Sequence, residues 1–248
     1  MTETAIEFDD VTVSYDRHPA VHHLSVRINK GSMVALVGPN GAGKTTLLKA
    51  AMGLLTVDTG RIVVPGIGDR AIAYLPQQAE IDRRFPITVL DTVLLGHWQK
   101  IGAFGRVAPS AIGTAQAALT AVGLSQFDDR PIGTLSAGQF QRVLFARMLV
   151  ADARLILLDE PFNAIDARTT LDLIGVIRRW HAEERTIVCV LHDLDIVRAE
   201  FPETLLIARS PVAWGATEST LTPANLNRAR SMAESWQDAA GVCEARAG

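Results

Sequence analysis

GPNGAGKTT, residues Gly38 to Thr46, fits the phosphate-binding pattern G-x-x-x-x-G-K-[ST], with Gly38, Gly43, Lys44 and Thr45 in the fixed positions. Glycines let successive backbone N–H groups turn inward around phosphate oxygens without a Cβ clash. The Lys44 ammonium reaches the β- and γ-phosphates, and the Thr45 hydroxyl is a ligand for Mg²⁺. The flanks agree. MVALVG (Met33 to Gly38) is an apolar strand-like run, and TTLLKAAM (Thr45 to Met52) reads as a helix with an apolar face. A strand feeding the loop and a helix leaving it aim the positive end of the helix dipole at the phosphates. The whole run, including Pro39, Asn40, Gly41, Ala42 and Thr46, is therefore assigned to nucleotide binding.

Composition bounds what surrounds this site. The chain has 248 residues, 48% hydrophobic and 21% charged, as expected of one large domain or a domain with a subdomain. A formal charge of −3 argues against a broad nucleic-acid footprint, and no nucleic-acid partner is expected. The acidic start MTETAIEFDD lacks the apolar core of a secretory signal. No run approaches the ~20 apolar residues of a membrane span, so a membrane role must come through a partner. The two cysteines fit a reducing compartment, and Cys189 in TIVCVL reads as a small core hydrophobe. Cys243 has no ligand spacing around it. The pair His22–His23 reads as strand residues pointing to opposite faces, not as a metal site.

The segment from Ile6 to Ile28 alternates like strands about the turn YDRHPA, giving an antiparallel portion ahead of the loop. Short strands are expected at Arg61 to Val64 and Ala71 to Leu75, flanking a Pro/Gly turn. Helical patterning runs from Thr88 to Gly123, interrupted by the loop IGAFGRV. Helices at about Gly138 to Val150 and Ala167 to Glu183 alternate with buried strands at Leu155 to Leu158 and Thr186 to Leu191. FPETLLIAR and PVAWG close the sheet before a polar helical tail. Apolar strands alternating with helices imply a parallel sheet covered on both faces, hence an α/β phosphate-loop NTPase core. The helical segment, about 88–150, reads as an insertion into that core.

Two further strings carry phosphate chemistry. LILLDEP (Leu155 to Pro161) is an apolar strand ending in two carboxylates: Asp159 suits Mg²⁺ and Glu160 suits general-base activation of water. LSAGQ (Leu135 to Gln139) opens a helix, with Ser136 as N-cap and small residues Ala137 and Gly138 exposing amides beside Gln139. It is a second anion-binding helix start. One compact domain does not easily bring two such starts to one γ-phosphate, whereas two copies packed head to tail do, so a homodimer is expected.

With these motifs together, the chain resembles an ATP-binding cassette (ABC) ATPase, the motor subunit of ABC transporters, over essentially its whole length of 1–248. The resemblance implies ATP and Mg²⁺ as ligands and roles at matching positions. Tyr15 in VSYD corresponds to the aromatic that stacks on adenine. Gln77 in YLPQQ, with Gln78 as the adjacent alternative, corresponds to the glutamine that senses Mg²⁺ and water and contacts the membrane subunit. Asp166 in NAID belongs to the loop crossing the dimer interface, and His192 in VLHDL contacts the γ-phosphate. This chain departs from the commoner LSGGQ at Ala137 and from SALD in the NAID loop. The amide of residue 137 and the Asp166 carboxylate are both retained.

The same resemblance implies a membrane-spanning permease partner. It further implies a peripheral place on the cytoplasmic face of the membrane and an indirect link to an extracytoplasmic metal-binding protein. RRFPITVLDTVLLG (Arg83 to Gly96), GHWQKIGAFGRV (Gly96 to Val107), EPFNAID and LHDLDIVRAEFPETLLIAR are similar to cassettes of zinc and manganese importers, zinc first. The alternatives are a cassette for another substrate, a soluble cassette ATPase without transport, and a clamp that binds ATP without hydrolysis. Repair-type coiled coils and a second cassette are not in the sequence, and Glu160 with His192 argues against the clamp.

Overall fold

A computed structural model of the chain describes residues 3–16, 18–65, 72–77, 81–102 and 105–238; for residues 99, 100 and 236–238 only the backbone is described. In chain order the elements are β1 (Thr4–Tyr15), β2 (His18–Asn29), β3 (Met33–Val37), α1 (Lys44–Ala51), β4 (Thr59–Val63) and β5 (Ile72–Leu75). Helices α2 (Val89–Leu94), α3 (Trp98–Ile101), α4 (Pro109–Ala121) and α5 (Ala137–Ala151) follow, then β6 (Leu155–Asp159) and α6 (Ala167–Ala182). The chain continues through β7 (Thr186–Val190), α7 (Leu194–Glu200), β8 (Glu203–Ala208), β9 (Ser210–Ala216), α8 (Thr217–Thr220) and α9 (Pro223–Asp238). These elements fall into two units, residues 1–66 with 186–248, and residues 67–185.

In the first unit β3 lies between β7 and β8, parallel to both, and β9 closes the edge antiparallel to β8. Every residue of β3 (MVALV) and β7 (TIVCV) is buried. That is the pattern of a parallel sheet covered on both faces, and it explains why these strands read as continuous apolar runs. Cys189 is one of them, fully buried as a core residue. A separate antiparallel sheet, ordered β2-β1-β4, supplies Ile6, Phe8 and Ile28 to an apolar core shared with Leu47, Leu48 and Leu205.

The strand expected at Arg61 to Val64 is β4, which pairs antiparallel with β1, and the one after the Pro/Gly turn is β5, which pairs parallel with β6. One expectation is corrected here. His22 and His23 do not point to opposite faces. His23 has φ 47° and Asp10 across from it φ 52°, and the strand register shifts there. This bulge brings the two imidazoles edge to face at 4.4 Å and lets His23 Nδ1 meet Asp10 Oδ1 at 2.8 Å. Among the described residues no cluster of His, Cys, Asp or Glu could hold a metal ion. Cys243, Gln78 and part of IGAFGRV lie outside the described residues.

In the second unit, helices α2, α4 and α5 pack around Val89, Val93, Leu119 and Phe140. On the apolar face of α6, Trp180 stacks on Phe145 of α5 at 5.6 Å between ring centroids. The segment after β5 runs beside the segment before α5. Val89 N donates to Arg130 O, Ile132 N donates to Ile87 O, and Thr88 bridges Pro131.

Candidate nucleotide-binding site

The phosphate loop joins β3 to α1, and its conformation demands glycine at defined points. Gly41 and Gly43 have φ of 74° and 88°, the left-handed region that side chains disfavour. Gly43 is also crowded: a Cβ there would stand 2.1 Å from Ala20 O, and one at Gly38 would stand 2.1 Å from Ile207 O. The loop is thus seated on its neighbours with no room for a methyl group at Gly38 or Gly43. Gly43 caps α1 without a side-chain hydrogen bond, leaving the first helical amides for a ligand.

Lys44 is 6% exposed, and its ammonium donates to Gly38 O and Pro39 O, each at 2.9 Å. The cation is therefore held across the curl of its own loop. Thr45 and Thr46 follow in the first turn of α1, Thr46 buried and Thr45 half-buried. Asn40 and Gly41 form the exposed crest, while Ala42 is buried. One residue absent from the sequence reading helps seat this loop. Arg209, at φ 62° in the β8–β9 turn, donates its backbone N–H to Ala42 O at 3.0 Å and its guanidinium to Pro19 O at 3.0 Å. Nothing in the string IARSP signals that contact, because it depends on strand pairing.

Tyr15, at the end of β1, is 50% exposed, an aromatic face presented rather than packed. His192 follows β7 in an exposed position, directly before the Asp193 cap of α7. These residues and the phosphate loop belong to the first unit.

The second unit carries the acidic and signature residues. Asp159 ends β6 at 1% exposure, with Tyr74 Oη donating to its Oδ2 at 3.4 Å. Glu160 adopts φ 51° and is half-buried, its carboxylate accepting from Asn163 Nδ2 at 3.3 Å. Gln77 follows β5 by two residues and is half-buried. Ser136 is the N-cap of α5 in a complete capping box. Its Oγ accepts from Gln139 N at 3.2 Å, and its N–H donates to Gln139 Oε1 at 3.0 Å. The S-x-x-Q spacing of that box is visible in the sequence, and the box adds a structural role to the nucleotide contact expected of Gln139. Ala137 and Gly138 form the first turn, half-buried; a Cβ on Gly138 would meet Thr169 Oγ1 at 3.4 Å, an ordinary contact.

Asp166 is likewise a cap. Its carboxylate accepts from Thr169 N at 2.9 Å and Thr169 Oγ1 at 2.8 Å, starting α6. Those bonds, the backbone one foremost, lower its pKa. Arg83, in the segment after β5, grips the loop ahead of the signature: its guanidinium donates to Leu135 O, and to Ile132 O at 3.3 Å, and lies 4.9 Å over the Phe140 ring.

Comparison with known proteins places this arrangement. The ABC transporter family model matches residues 21–163. A zinc transport system ATP-binding protein, TroB, of Treponema pallidum is 40% identical over 232 residues, covering 92% of this chain and 87% of the relative. The manganese transport system ATP-binding protein MntB of Bacillus subtilis is 36% identical over 227 residues, covering 90% of this chain and 91% of the relative. Among solved structures, a transporter assigned to the metal-chelate ABC type, in an inward-facing conformation, matches with TM-score 0.82 and 29% identity, covering 92% of this chain and 90% of the other. The α/β fold, the glycine-demanding loop around Lys44 and the capped LSAGQ helix thus have one explanation: the chain belongs to the ABC transporter family, as its ATP-binding cassette.

Proposed function

We propose that this ATPase powers uptake of a divalent transition metal, zinc ahead of manganese, through a membrane-spanning permease on whose cytoplasmic side it docks. The observation that carries the substrate class is likeness to TroB and MntB over 92% and 90% of this chain; their names specify zinc and manganese transport. Among the described residues no helix is long and apolar enough to cross a membrane, which fits a peripheral subunit held by such a permease. An extracytoplasmic binding protein would deliver the metal to the permease without touching this chain. The whole chain, with its helical insertion at about 88–150, acts as one cassette.

The roles are those that membership of the family implies at the matching positions. Lys44 and the loop amides bind the β- and γ-phosphates, and Tyr15 stacks on the adenine. The donor set suits Mg²⁺, a hard ion that takes oxygen ligands: the Thr45 hydroxyl, the buried Asp159 carboxylate and the Gln77 side chain would hold it. Bound there, the ion would neutralise charge on the phosphate oxygens. Glu160 accepts a proton from the attacking water as the water oxygen bonds to the γ-phosphorus and the bond to the bridging oxygen breaks, releasing ADP. His192 donates to the γ-phosphate. The Ser136 start of α5, with Ala137, Gly138 and Gln139, meets the nucleotide of a second copy packed head to tail, and Asp166 lies at that interface.

Two measurements test this. Deleting the gene should stop growth under chelation, with zinc restoring it at lower concentration than manganese; restoration by neither metal removes the metal assignment. Glu160→Gln should retain ATP binding and lose turnover by about 10²–10⁴-fold, and a wild-type rate would remove the catalytic assignment.

A further inference from the structure

We propose that Gln141 is a positioning residue for hydrolysis, which ties the turn carrying Glu160 to the capped start of α5 and relays engagement of Ser136 to that glutamate. The proposal rests on the reading above that Glu160 is the base and that Ser136 meets the twin copy's nucleotide. Gln141 is 1% exposed, and its Nε2 donates to Pro161 O at 2.7 Å in a buried bond. Pro161 follows Glu160 directly. It has no N–H of its own, so its carbonyl is the one backbone hydrogen-bonding group that Pro161 itself offers.

The turn needs such a tie. Glu160 holds φ 51°, a left-handed conformation that a residue with a side chain keeps only when its surroundings impose it. Asn163 contributes locally, its N–H donating to Glu160 O at 3.2 Å. The bond from Gln141 reaches this turn across 20 residues of sequence, and it comes from the first turns of the signature helix. From Ser136 to Gln141 the helix rises about 7.5 Å, at 1.5 Å per residue, along backbone made stiff by its capping box. The same helix grips the next stretch of chain as well. Arg142 Nη2 donates to Asp172 Oδ2 at 2.6 Å and to Thr169 Oγ1 at 3.4 Å, beside the Asp166 cap. A displacement of the Ser136 end is therefore passed to residues 160–172 as a rigid movement rather than absorbed by a loop.

The experiment uses the full chain with two substitutions at Gln141. Gln141→Met keeps length and lack of branching but cannot donate to Pro161 O. It should lower kcat ten-fold or more while ATP affinity stays within two-fold of wild type; kcat within two-fold of wild type, or equal losses of kcat and affinity, overturns the proposal. Gln141→Glu can donate only when its carboxyl is protonated, a form that burial favours. Its kcat relative to wild type should rise as pH falls from 8 to 6, and a flat ratio overturns the proposal even if the methionine variant does not fold. Combining Gln141→Met with Ser136→Ala tests the relay. A double variant no slower than the slower single supports it, and multiplied losses refute it. Glu160→Gln run alongside separates the two layers: if that variant turns over normally, the reading of Glu160 fails first.

Discussion

Replacing Arg83 by methionine should loosen the approach to the signature helix, and the size of the effect can be worked out. The substitution keeps the apolar stem and removes the guanidinium. Lost are the donations to Leu135 O and Ile132 O and the position 4.9 Å over the Phe140 ring. Hydrogen bonds from a charged group contribute about 1.5–3 kcal/mol net, and a partly exposed cation–π contact about 0.5–1 kcal/mol. The sum is roughly 2–4 kcal/mol. For a chain of this size each kcal/mol moves Tm by about 2–4 °C, so thermal unfolding should fall by roughly 4–16 °C. The loss has a functional side. With Leu135 O released, Ser136 is less fixed, so ATP-driven dimerisation in a Glu160→Gln background should weaken while monomer affinity for ATP is kept. Analytical ultracentrifugation and calorimetry read these two quantities separately. A Tm within 2 °C of wild type together with unchanged dimerisation would refute the assignment of Arg83 as the anchor of this loop.

Two more outcomes are open to direct measurement. Tyr15→Ala should weaken ATP binding about ten-fold, taking roughly 1.4 kcal/mol from the 1–3 kcal/mol of a base stack, and leave inorganic triphosphate binding unchanged; equal loss for both ligands contradicts the stacking role. Asp166→Ala should lower Tm at pH 7. The carboxylate's pKa is depressed in the folded chain by Thr169, so its contribution is present above the unfolded carboxylate range and fades as pH falls through the depressed value. The gap to wild type should therefore be constant from pH 8 to 6 and narrow in acid, whereas a gap that widens in acid excludes the cap as its source.

Much of this is legible in the sequence. The phosphate loop declared itself because each fixed residue answers a local demand: Gly43 is forced by its φ and by Ala20 O, and Lys44 by the need for a reaching cation. Strands β3, β6 and β7 were legible because burial on both faces writes an unbroken apolar run. The misses have a common cause, which is that they depend on what lies across from a residue. Nothing in RIVV or IAYL says that one strand joins β1 and the other β6. The bulge at Asp10 and His23 reversed the expected facing of the histidines because a single residue at φ 47° resets the two-residue period. Gln141 and Arg83 were unremarkable letters in helical and polar text, since the carbonyls they serve are distant in sequence. The capping by Gln139 is different, for its S-x-x-Q spacing was in plain view beside a more conspicuous motif.

The way Ser136 holds its helix has a consequence for which atom it can offer a ligand. A serine hydroxyl has one hydrogen to give and lone pairs to receive with. Holding the helix start uses a lone pair, because Oγ takes the Gln139 amide hydrogen. The hydroxyl hydrogen is left for an acceptor, and an anionic oxygen is an acceptor only. Aspartate would cap this helix equally well, yet it would bring like charge and no hydrogen, so folding alone does not dictate the alcohol at this position.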